Sequence, residues 1–187
     1  MPRTYGSKEL EVKPADLPNE VLLAIGCLVR AVAEMEDILD LFIGNLAGLS
    51  ESRTTIMLGR TAISRKLETA HELAKTREDK ALEHFKTAFD EGFNDILECR
   101  NVVAHGKFLG KTEEGYAFLT ANPGPVRDDS KIRIVVSYSA RTIVALAHLA
   151  EIRLPEMERY LQLEERRAER LLRPLLPHSK AQPRGKR

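Results

Sequence analysis

The residues Val21, Ile25, Leu28, Val32, Met35, Leu39, Phe42, Leu46 and Leu49 recur at alternating spacings of three and four. A strand turns its side chains over every second residue, so this period excludes a β-strand and demands one long helix with an apolar seam along it. Leu22, Val29, Ile38 and Ile43 widen the seam, which predicts neighbours on more than one side and a central place in a bundle. Aromatic content of 5% with no Trp argues against a large all-β core.

Other elements arrange themselves around that helix. Residues 1–15 are polar and unpatterned, and are expected to be a flexible segment; Asp16-Leu17-Pro18 then opens the first helix with a capping acid and an early proline. A second helix, starting near Ser50 or Ser52, is expected to bury Ile56, Ile63, Leu67, Ala70 and Leu73. A third begins at the capping-box pattern Thr76-Arg77-Glu78-Asp79 and repeats Leu82, Phe85, Phe89, Phe93, Ile96 and Val103, with Gly106 as a left-handed stop. Three β-prone runs follow, Phe108-Leu109, Tyr116 to Leu119 and Ile132 to Val136, separated by turn residues that include Asn122-Pro123-Gly124-Pro125. Ser139 caps a fourth helix carrying Ile143, Leu146, Ala147, Ala150 and Leu154, which Pro155 is expected to kink or to end, with a new helix from Met157 onward. The fold class is thus all-α, an up-and-down bundle of four to five helices over residues 16–172, with a small β insertion at about 107–137 before the last long helix.

Charge and cysteine content narrow the setting. The last fifteen residues, from Arg173, hold five Lys or Arg and no acid, so a net charge of +1 divides into +5 there and −4 elsewhere. A short basic tail containing proline is expected to be solvated, with at most weak attraction to nucleic acid. Cys27 and Cys99 are too few for a disulfide framework and sit in apolar helical patterns, which suits a reducing cytoplasm. The longest apolar run, Val21 to Val29, is too short to span a bilayer, so no membrane partner is expected.

The polar constellation lies at the end of the third helix, in Leu97-Glu98-Cys99-Arg100-Asn101-Val102-Val103-Ala104-His105-Gly106. Asn101 and His105 are four apart and share a helix face, so the amide is the natural orienter of the imidazole. Arg100 lies about 140° round and about 7.5 Å along from His105, and must reach round or come from a second subunit. Histidine moves protons near neutral pH, and a guanidinium can hold the oxygens of a phosphorane-like transition state. Together they suit attack by a ribose 2′-hydroxyl on the adjacent phosphodiester, with no metal or cofactor required. A twofold dimer would supply a second histidine, and the seam of the first helix is a candidate surface for it.

Arg100-Asn101-Val102-Val103-Ala104-His105 resembles the Arg-x(4 to 6)-His motif of the HEPN superfamily, with Asn directly after Arg, Ala before His and Gly after it. The order of helices also resembles the HEPN bundle, over about residues 16–172. The resemblance implies a homodimer with two motifs facing one cleft, and often a metal-independent endoribonuclease used in toxin–antitoxin or antiphage systems, with an antitoxin or defence protein as partner. Some members of the superfamily bind RNA or protein without cutting, which is the alternative. In one toxin branch a modified Tyr stands two residues beyond the His; here that position is Lys107, and that regulation is not implied.

Arg53 and Arg60, seven apart, together with Lys107, Lys111, Arg65 and Lys66, are candidates for tracking an RNA backbone, though ordinary surface charge explains them as simply. Glu34, Glu36, Asp37 and Asp40 either line the cleft or form a solvated face. Phe108 and Tyr116 either stack on bases or fill the hairpin core. His71, His84, His148 and His178 have no second His or Cys at ligand spacing, so no zinc site is expected.

Overall fold

A computed structural model describes residues 3–5, 11–77, 80–121 and 133–161. Among these the chain is mostly helical, with elements β1 (Arg3–Tyr5), α1 (Asn19–Leu46), α2 (Glu51–Leu58), α3 (Ile63–Lys75), α4 (Ala81–Ala88), α5 (Glu91–His105), β2 (Lys107–Lys111), β3 (Tyr116–Ala121), β4 (Arg133–Tyr138) and α6 (Ala140–Tyr160). No helix among the described residues is long and apolar enough to cross a membrane. The expected helix beyond Leu161, the turn from Asn122 to Ser130 and the basic tail lie outside the described residues.

Helix α1 is the axis of the fold and packs against α2, α3, α5 and α6. Its seam is spent on the chain's own core: Val21, Leu28, Val32, Met35, Leu39 and Phe42 are all buried. The seam is therefore not a free surface for a second subunit. Arg30 pairs with Glu151 while Leu161 lies beside Phe42 and Leu46, so α6 runs parallel to α1. The α4–α5 arm returns in the opposite direction, with Phe85 stacked on Phe42 at one end and Arg100 near Glu36 at the other.

Two helices expected to be continuous are each broken in two. The second divides at Gly59 to Ala62 into α2 and α3, and Ile56, expected to be buried with the later stripe, is 83% exposed. The third begins at Ala81, and Glu78 and Asp79 of its expected capping box are outside the described residues. It breaks again at Phe89-Asp90, yet Phe85, Phe89 and Phe93 keep their spacing across the junction, with successive ring centroids 5.0 Å apart. Asp90 explains the restart. Its carboxylate caps α5 by accepting from the Phe93 N–H at 3.2 Å and takes both ends of the Arg153 guanidinium at 2.6 and 2.7 Å.

Helix α6 continues through Pro155 instead of ending there. Ser139 caps it as expected, accepting from the Thr142 N–H at 3.0 Å. The β excursion is an antiparallel sheet in the order β1-β4-β3-β2, with all three expected runs present as β2, β3 and β4. The expected unpatterned N-terminal segment contributes two pieces of structure: β1 pairs with β4, and Lys13 bridges Lys111. A side chain at Gly110 would run into the Lys13 carbonyl, and φ there is +138°, so only glycine fits beside the bulge in β2. Phe108 and Tyr116 pack the sheet's inner face, their ring centroids 6.3 Å apart, with Phe118 at 5.5 Å from Phe108. They serve the core.

The double role of Asp90 has a measurable consequence. Arg153's hydrogen bonds hold its carboxyl below the ordinary value of 3.8, against the opposing effect of burial and with help from the Phe93 N–H. A group depressed in this way contributes stability above its unfolded pKa and loses it as pH falls through the folded one. Asp90→Asn should cost about 1–2 kcal/mol in urea unfolding at neutral pH, screening by solvent included, and the gap from wild type should begin to narrow as pH falls toward 3.8 and close only once the depressed folded-state carboxyl is itself protonated. A gap that stays constant as pH is lowered from about 7 through the acid range would mean that Asp90 acts through shape and not through charge.

Candidate functional site

Arg100, Asn101 and His105 occupy the last turns of α5. Cys99, buried among them, faces the core, and burial, with Glu98 adding to it, pushes its thiol up to about 12. A thiol that reluctant to ionise is packing material and not a nucleophile. Arg100, the next residue round, emerges beside α1 with its side chain 17% exposed. Asn101 and His105 are exposed on the outer side of the helix.

The amide does not orient the imidazole. Asn101 Oδ1 instead accepts from Arg100 Nη1 at 2.9 Å, so the asparagine steadies the guanidinium of its neighbour. Adjacent residues on a helix diverge by about 100°, and only the long arginine stem can close that gap. Arg100 is held on its other side by its own chain as well: Nη2 lies 3.9 Å from Glu36 Oε2 on α1. His105 is the final helical residue, and Gly106 alone separates it from β2. Gly106 is extended at φ −74° and ψ 145°, not left-handed, because the chain leaves α5 straight into a strand. Its N–H still closes the helix on the Val102 carbonyl at 2.8 Å, and an added Cβ would collide with that carbonyl.

The group that sequence reasoning missed is Lys66. Expected on the surface, it is 2% exposed and donates to Glu36 Oε1 at 2.8 Å and to Asp40 Oδ2 at 2.9 Å. Burial penalises the ammonium, but the two carboxylates outweigh it and hold the Lys66 pKa above its ordinary value. Burial also pushes Asp40 up, and Lys66 offsets that only in part. Glu36 and Asp40, four apart on α1, therefore point inward between α1, α3 and α5, while Asp37 remains exposed and Glu34 pairs with Arg30 at 3.0 Å. The signal was available: Lys66 sits three after Ile63 and four before Ala70, on the buried stripe of α3. Asp40 Oδ1 and Arg100 Nε are buried without a hydrogen-bond partner among the described residues, so this cluster concentrates polar groups that the core leaves incompletely satisfied.

The proposed RNA-tracking cations do not form one row. Arg53 is exposed on α2, but α2 ends at Leu58, so Arg60 belongs to the following turn and shares no helix face with it. Lys107 and Lys111 are exposed at the two ends of β2, the strand that directly follows His105. Of the four, these two alone belong to an element joined to the motif. A cavity of about 430 Å³ lined by Phe42, Asn45, Leu46, Arg77, Lys80, Ala81, His84 and Leu161 includes none of the motif residues. Comparison with known proteins finds no match: no family model, no curated protein and no solved structure matches this chain.

Removing one partner from a buried ion pair leaves the others uncompensated. Lys66→Ala should therefore destabilise the protein by about 3–5 kcal/mol in denaturant unfolding, far more than Arg65→Ala at the exposed neighbouring position. Equal small losses for both variants would show that the carboxylates find water once the lysine is gone.

Proposed function

We propose that this chain is a metal-independent endoribonuclease of HEPN type, acting as a homodimer in a toxin–antitoxin or antiphage setting. The observation that carries the reading is the pairing of a steadied, mostly enclosed Arg100 with an exposed His105 at the end of one helix. The motif's resemblance to the HEPN pattern supports it further. In the proposed reaction His105 removes the proton of a ribose 2′-hydroxyl, or delivers one to the departing 5′-oxygen. The 2′-oxygen–phosphorus bond forms as the phosphorus–5′-oxygen bond breaks, leaving a 2′,3′-cyclic phosphate and a free 5′-hydroxyl. Arg100 stabilises the extra negative charge on the phosphoryl oxygens, and Asn101 keeps the guanidinium in place. Lys107 and Lys111 would meet flanking phosphates.

A dimer interface would draw on surface other than the α1 seam. Leu22, Leu23 and Val29 on α1, and Ile56 and Met57 on α2, are among the exposed apolar side chains that such an interface could cover. The second reading, a non-catalytic dimer that binds RNA or protein, draws on a specific observation: two sides of the Arg100 guanidinium are already engaged within the chain.

The two readings part in a cleavage assay with EDTA present. The enzyme should cut single-stranded or structured RNA to 2′,3′-cyclic phosphate ends. His105→Ala and Arg100→Ala should each slow cutting by about 100-fold or more. Because His105 is exposed, its replacement should move stability by no more than about 0.5 kcal/mol, which separates lost chemistry from lost fold. RNA that is bound but left intact by the wild type would favour the non-catalytic module, and undiminished cutting by His105→Ala would remove that residue from the mechanism.

A further inference from the structure

Arg100 stands at a distance from its carboxylate partner, Glu36, which it shares with Lys66. Glu36 has two oxygens: Oε1 accepts from Lys66 at 2.8 Å, and Oε2 stands 3.9 Å from Arg100 Nη2. The second separation is attraction without a hydrogen bond, since a charge-assisted N–H···O contact closes to about 2.7–2.9 Å. Left alone, a carboxylate and a guanidinium would collapse into a two-point clamp that neutralises both. Lys66 claims one oxygen of Glu36, which stands in the way of a two-oxygen clamp, and Lys66 is itself held by Asp40 at 2.9 Å and is almost completely buried. The four groups, two carboxylates and two cations, balance in formal charge.

We propose that Glu36 is a positioning residue for Arg100, and that buried Lys66 tunes its hold so that the guanidinium is aimed yet keeps an N–H face open to a phosphate. This rests on the ribonuclease reading for its consequence in catalysis, but the aiming itself is a property of the resting protein. Asn101 fixes the Nη1 side and Glu36 draws the Nη2 side toward α1. Two restraints define the guanidinium plane, where either alone would leave it free to swing about the last torsions of the side chain. Asp40 acts one step further back by keeping Lys66 in register with Glu36. The site thus reaches from α5 through α1 to α3.

Glu36→Gln keeps the shape of the side chain and removes its charge. If Glu36 only stabilises the fold, the variant lowers the melting temperature and the active fraction, with KM unchanged. If it positions Arg100, kcat per folded molecule should fall by about tenfold or more while KM for RNA drops or stays the same, because the net positive potential at the phosphate site has risen. The resting protein gives an independent readout: the Arg100 Nε–H resonance, assigned through its loss in Arg100→Lys, should exchange with solvent about tenfold faster in Glu36→Gln. Glu36→Asp, which keeps the charge on a shorter stem, should fall between the two, and it takes over the comparison if Glu36→Gln does not fold. An Arg100 resonance that is unchanged in a folded Glu36→Gln protein overturns the proposal. A resonance that shifts as expected in a chain that cuts no RNA supports the positioning role and overturns only the ribonuclease reading.

Discussion

Enclosure of α1 is the constraint on which the rest of the structure depends. A helix with apolar residues on most of its circumference is insoluble alone, and each of α2, α3, α5 and α6 is placed by the side of α1 it covers. Leu28, Ala31, Val32, Met35 and Leu39 are fully sequestered as a result. Burial of a large aliphatic side chain is worth roughly 1.5–3 kcal/mol, so this one helix supplies much of the force that drives collapse. The same enclosure makes any polar residue that turns inward on α1 expensive unless it finds a partner, and Glu36 and Asp40 turn inward.

That necessity accounts for Lys66. Two carboxylates on consecutive turns of the central helix would repel each other in a poorly solvated gap, and a single ammonium between them resolves both the repulsion and the lost hydration. Swapping the whole cluster for apolar residues would be energetically tolerable for many folds, so stability alone is a weak reason for its existence. The proposed positioning of Arg100 would give it a reason that stability does not.

How much of this was legible in the sequence depends on the range of the interaction involved. The helical character, the seam of α1, the Ser139 cap and the three β-prone runs follow from local period and capping chemistry, and the structure contains each of them. The breaks at Gly59 and Asp90 were not legible, because an apolar repeat carries across a short interruption, as Phe85, Phe89 and Phe93 do. The inward turn of Glu36, Asp40 and Lys66 joins residues separated by 26 and 30 positions, and charge in a sequence reads as surface by default. Within the motif, helical spacing placed Asn101 with His105, but the structure pairs it with Arg100, whose guanidinium also approaches Glu36 on α1, a neighbour that helical spacing does not reveal. The pairing of Arg3–Tyr5 with β4 joins residues far apart in the chain and left no local trace.

His105 is the hinge point between two kinds of structure. The residue before it belongs to the hydrogen-bond ladder of α5, and two residues later Lys107 is registered against Leu119 in the sheet. With one glycine between them, the ladder and the sheet determine the same backbone from opposite sides, so the exposed imidazole is mounted on a frame with almost no slack. Surface residues on loops usually gain access to a substrate by giving up order. Here the backbone keeps its order while the side chain keeps its access, and a one-residue slip of β2 against β3 would move the histidine as surely as a mutation in the helix.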